Sequence, residues 1–117
     1  MQETRAIIKK VFIFSVLAGF LSCVYANSED QKALAVAKQN ACLGCHAFDK
    51  KIVGPGFQAV AQKYKSYPNA HTFLKNKIAM GGAGSWGVVP MPANAKLSDA
   101  DLSLLASWIL RGAPYQN

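Results

Sequence analysis

Few cysteines, only two histidines, little arginine and no long apolar run: each shortage excludes a class of protein. The 117 residues hold three Cys (Cys23, Cys42, Cys45) and two His (His46, His71). A structural zinc site of the common kind needs a second Cys/His pair beyond the first, and only His71 is left to supply it. Arg5 and Arg111 are the only arginines, and the lysines are scattered, so the clustered basic surface of a nucleic-acid binder is missing. The longest apolar run, Val11 to Leu21, is about eleven residues, short of the ~20 that cross a bilayer. No segment alternates polar and apolar residues as a half-buried strand does, and there are no internal repeats or low-complexity tracts.

The apolar run follows Arg5, Lys9 and Lys10 and precedes Val24-Tyr25-Ala26, the pattern of a secretory signal cut after Ala26. The expected division is a cleaved signal peptide, residues 1–26, and one domain, residues 27–117. A retained anchor and a lipidated Cys23 are the rivals; Phe20-Leu21-Ser22 is a poor lead-in for lipidation. After cleavage ten Lys and Arg face five Asp and Glu, a net charge of +5. That balance suits a solvated surface that also steers an acidic partner.

What the mature chain does have is Cys42-Leu43-Gly44-Cys45-His46. A Cys-x-x-Cys-His run attaches a c-type haem. Two thiols add across the porphyrin vinyl groups, the two-residue spacer lets both reach one edge, and the next imidazole reaches the iron. This composition produces such a run by chance about 0.001 times. A thioredoxin-like dithiol needs a βαβ setting that the pattern lacks. Both remaining cysteines lie inside the run, so no structural disulfide is left, and a small scaffold of this size needs a staple that the haem supplies.

Periodicity predicts four helices. The first, from about Glu29 to Asn40, is opened by the capping box Ser28-Glu29-Asp30-Gln31 and has Leu34, Val36, Ala37 and Ala41 on its apolar side. Phe57 to Lys65 carries Phe57, Val60, Ala61 and Tyr64 at helical spacing, and Ala70 to about Met80 carries Phe73, Leu74, Lys77 and Ile78. The last is capped by Ser98-Asp99-Ala100-Asp101, presents Leu102, Leu105, Ala106 and Ile109, and runs to about Arg111 before Gly112. The expected fold is all-α, four short helices wrapped on one covalently bound haem.

The sixth iron ligand decides function. The candidates are Met80, Met91 and His71. Met91 is favoured, because Pro90 and Pro92 restrict the backbone on both sides of it and so hold a thioether sulfur with little reorganisation. Met80, closing a helix, reads as a core filler, and His71, beside Asn69 and Thr72, as a surface residue. A His/Met pair raises the reduction potential and favours electron transfer over chemistry at the iron.

These residues together resemble the short bacterial class I cytochromes c, of the c-551 kind. The resemblance rests on Cys42 to His46, Ile52-Val53-Gly54-Pro55, Trp86-Gly87-Val88-Val89-Pro90-Met91-Pro92-Ala93-Asn94 and a last helix with Trp108. It implies the class I cytochrome c fold and a monomeric periplasmic one-electron carrier between a quinol-oxidising complex or dehydrogenase and an oxidase or reductase. It implies further that the Pro55 carbonyl accepts from the ligating imidazole, that Trp86 donates to a haem propionate and that Lys77 is its basic partner. Ala37 and Ala41 would meet Leu105 or Trp108 where the end helices cross. Val88 and Ala93 stand where relatives often carry proline, which predicts a softer methionine loop. The alternatives are a fixed haem subunit of a larger dehydrogenase and, with no acid–base residue flanking Met91, a haem peroxidase or gas-binding protein.

Overall fold

A computed structural model describes residues 28–115. The signal segment and Cys23 lie outside them. Among the described residues helix α1 covers 28–39, and Ser28, expected as its cap, is itself helical. Helix α2 spans Phe57–Tyr64, α3 Ala70–Met80 and α4 Asp99–Leu110. Among the described residues there is no strand, only two isolated antiparallel bridges, His46 with Lys51 and Gly82 with Met91.

The buried residues follow the helical period. Ala33 and Ala37 are buried on one side of α1. Phe57, Val60 and Tyr64 are buried on α2 and Leu74 and Ile78 on α3. Helix α4 buries Leu102, Leu105, Ala106, Trp108 and Ile109 and packs on both α2 and α3. Its start is capped as its sequence dictates: Ser98 Oγ accepts the Asp101 amide at 3.1 Å and donates to Asp101 Oδ2 at 2.7 Å. Arg111, at the end of α4, donates to Asp30 of α1 at 2.6 Å, so the end helices are tied near their contact.

Three sequence expectations are corrected. Ala41 does not pack between the end helices: α1 has ended, Ala41 sits at φ 56° and its side chain is exposed, and Ala33, one turn back, joins Ala37 in the core. Met80 is not a core filler, being 78% exposed. His71 is half-buried, its Nε2 lying 3.1 Å from the Ser103 carbonyl and 3.2 Å from Ser103 Oγ across the α3–α4 seam. Helix phase explains the last two, since Leu74 and Ile78 take the inward positions of α3.

Candidate functional site

The turn after α1 builds the first wall. Ala41, in the left-handed region, breaks α1, and a single 3₁₀ turn, Cys42–Gly44, starts at once. The Cys45 and His46 amides both donate to the Cys42 carbonyl, at 3.1 and 2.9 Å. One helical turn thus separates Cys42 from Cys45 and His46, and side chains three and four apart share a face. Both cysteines are free thiols, and with His46 they line one cavity of ≈ 380 Å³. Burial pushes the Cys42 thiol up, against a backbone hydrogen bond that pulls it down, and the neighbouring Cys45 adds to the rise.

His46 is fixed on three sides. Its Nδ1–H donates to the Pro55 carbonyl at 2.7 Å, which leaves Nε2 as the nitrogen free to meet a metal. Its ring stacks on Phe57, with centroids 5.3 Å apart and planes 15° from parallel. Gly54 closes the third side: a Cβ there would lie 2.8 Å from Nδ1 and 3.0 Å from Nε2. Gly54→Ala is expected to push the ring off its acceptor and cost about 2 kcal/mol, or about 10 °C in Tm, read by thermal unfolding. An unchanged Tm would show that the ring has room to move.

The second wall comes from the loop between α3 and α4. Met91 lines the cavity; Met80 and His71 do not. Its backbone is held by a reciprocal pair of bonds with Gly82, each 2.9 Å. Gly81 makes this approach possible, with φ 68° and no room for a Cβ against the Met91 carbonyl. Asn94 anchors the far end. Its amide donates to the Ile78 and Ala79 carbonyls at 3.1 Å, and Nδ2 donates to the Ile78 carbonyl at 3.2 Å. These are orphan carbonyls of the last turn of α3, so one residue caps the helix and fixes the loop. Before Met91, Val88 and Val89 are 92% and 62% exposed, an apolar rim on the cavity mouth.

Pro55, Trp86 and Lys77, which the resemblance singles out, all line the same cavity. Lys63 joins them in effect: its ammonium donates to the Ser85 carbonyl at 2.6 Å and lies 4.4 Å from the Trp86 ring centroid, a cation–π contact that holds the indole. Sequence reasoning missed Gly82, Asn94 and Lys63. Each acts through a contact with residues remote in sequence; Asn94 ends the stretch that carries the resemblance, but nothing local marks its role at the end of α3.

The wall chemistry fits a haem. Two free thiols, an imidazole with Nδ1 already committed, a thioether from a different segment, and Trp86 and Lys77 for carboxylates surround a cavity whose walls are otherwise mainly apolar. Comparison with known proteins agrees. The family model described as "Cytochrome c" matches residues 31–113. Cytochrome c-552 of Nitrosomonas europaea is 47% identical over 75 residues, covering 64% of this chain and 73% of that one. Cytochrome c-551 of Pseudomonas aeruginosa is 40% identical over 103 residues, covering 87% and 96%. The crystal structure of wild-type Nitrosomonas europaea cytochrome c552 superposes with a TM-score of 0.65 at 44% identity, over 68% of this chain and 98% of that one.

Proposed function

The chain belongs to the cytochrome c family and carries one covalently bound haem c, and on that footing we propose that it is a periplasmic electron shuttle with a His46/Met91-ligated iron. It is an electron-transfer protein and not an enzyme, as its relatives are. The haem supplies one reversible electron at its iron. Cys42 and Cys45 would hold it through two thioether bonds, each S–H adding across one vinyl group so that no atom leaves. His46, through Nε2, and Met91, through its thioether sulfur, would ligate the iron. The Pro55 carbonyl, accepting from Nδ1 at 2.7 Å, fixes the imidazole plane and enriches the ligand. Trp86 and Lys77, both on the cavity wall, would meet the propionates, Lys77 as a point charge.

The observation that carries this reading is the convergence of Cys42, Cys45, His46 and Met91, from two separate segments, on one mainly apolar cavity. Pinned ligands suit electron transfer, since an iron whose donors hardly move has little to reorganise. Visible spectra of the oxidised and reduced protein, with and without carbon monoxide, test it. Low-spin spectra indifferent to carbon monoxide are expected; rapid binding by the reduced protein would point to an open iron and overturn the assignment.

The proposed signal segment, residues 1–26, delivers the domain to the periplasm, where donor and acceptor meet it. No described helix is long and apolar enough to cross a membrane. Val53 and Lys51 line the cavity, and their neighbours Ile52 and Lys50 are exposed beside them. That arrangement supports docking of acidic redox partners by a monomer at this edge, apolar contact ringed by steering charge. Electron-transfer rates with an acidic partner are expected to fall by roughly tenfold as salt rises from about 0.01 to 0.2 M. Stopped-flow rates flat across that range would remove the steering.

A further inference from the structure

The tail after α4 does not simply leave the fold. Gly112 and Ala113 both turn through the left-handed region, at φ 87° and 51°. For alanine that conformation is strained, because Cβ crowds the following carbonyl. Something must hold it there, and the structure shows what does. Ala113 is buried at 1% exposure, its amide donates to the Trp108 carbonyl at 2.9 Å, and the Trp108 indole N–H donates to the Pro114 carbonyl at 2.9 Å. Tyr115 is thereby laid flat on Phe48, with ring centroids 3.9 Å apart and planes 24° from parallel.

Phe48 is two residues beyond His46. Its ring meets the edge of Phe57 at 6.1 Å, and Phe57 is the ring on which His46 stacks. Trp108 touches both phenylalanines, at 6.2 and 5.3 Å. The backbone is coupled as well: the Phe57 and Gln58 amides donate to the Ala47 and Phe48 carbonyls, each at 2.9 Å. The segment after His46 and the first turn of α2 therefore move as one body, and Tyr115 covers its outer face. From this geometry we propose that the strap Ala113–Tyr115 positions the His46 imidazole from outside the pocket, with Tyr115 as its clamp. The proposal rests on the reading of His46 as an iron ligand. Tyr115 touches neither His46 nor the cavity wall; it is a positioning residue, and it acts through Phe48 and Phe57.

The test compares wild-type holoprotein with Tyr115→Ala and Tyr115→Phe. The haem-methyl proton resonances of the oxidised protein report the imidazole plane, and amide exchange at Phe57 and Gln58 reports the body that carries it. Tyr115→Ala is expected to redistribute the methyl resonances and to speed exchange at those two amides by about tenfold, while Leu74 and Ile78 on α3 keep their rates. Tyr115→Phe keeps the ring and should restore both. An unmoved methyl pattern overturns the proposal, with or without uniformly faster exchange, because a merely stabilising tail would loosen the whole molecule and leave the imidazole plane alone. Failure of the phenylalanine variant to rescue overturns it too. If the wild-type spectrum shows an iron that His46 does not ligate, the reading beneath it fails; if that spectrum is intact and only the variants are silent, the strap alone fails.

Discussion

Cys42→Ala combined with Cys45→Ala is expected to give a colourless polypeptide with little native helix, read by mass spectrometry and far-ultraviolet circular dichroism. The reason lies in how thin the core is without the haem. Among the described residues thirteen hydrophobic side chains are buried, but four are alanine, and only Trp108 and Leu105 are large and fully enclosed. Eight of the thirteen, among them Phe57, Tyr64 and Leu105, line the cavity. The helices are arranged around the cofactor more than against one another. At about 24 cal/mol per Å³, leaving ≈ 380 Å³ unfilled costs up to ~9 kcal/mol. Water entering through the mouth lowers that figure and exposes apolar walls instead. Total stability of a domain is only ~5–15 kcal/mol, so the loss is comparable to all of it. Salt bridges do not compensate: Lys75–Asp99 at 2.5 Å is exposed on its Asp99 side, and such pairs contribute ~1 kcal/mol at most. Native helix content in the double variant would mean that the helix contacts suffice and that the haem is a passenger in folding.

Much of this was legible in the sequence. The three later helices lie within about one residue of their expected bounds, because apolar spacing and the Ser98 cap act locally and no strand competes among the described residues. The cavity wall was legible where chemistry needs a fixed spacing, as in Cys42 to His46, or where prolines flank a residue, as at Met91. Contacts made across the fold left no such mark. Lys63 is one lysine among several until the fold brings Trp86 to it. Asn94 looks like a loop residue until α3 presents its last carbonyls. Ala113 and Tyr115 follow a helix-stop glycine and carry no pattern of their own, although the chain there folds back onto Phe48. Ala41 misled in the opposite sense: its position fits the helical period, but its backbone is the break that turns the chain into the thiol run.

Met91→Ala separates the proposed ligand from the loop that carries it. The bonds that place Met91 are made by backbone atoms, the reciprocal pair with Gly82, and by Asn94 three residues on. Pro90 and Pro92 are untouched by the substitution. The variant should therefore fold, keep its covalent haem and differ mainly at the iron. Three changes are expected together. The long-wavelength sulfur-to-iron absorption of the oxidised protein disappears. The reduced protein binds carbon monoxide. The potential falls by something on the order of 0.2 V, a fraction of the ≈ 0.8 V that axial ligands span, because thioether sulfur favours ferrous iron and its replacement does not. The alternatives inside the described chain are poor. Met80 is 78% exposed and outside the cavity wall, and His71 is engaged with Ser103 at the α3–α4 seam. Neither lines the cavity that would hold the haem. If the band persists in the variant, some other sulfur ligates the iron, and the loop that Gly82 and Asn94 hold so closely serves a purpose other than presenting Met91.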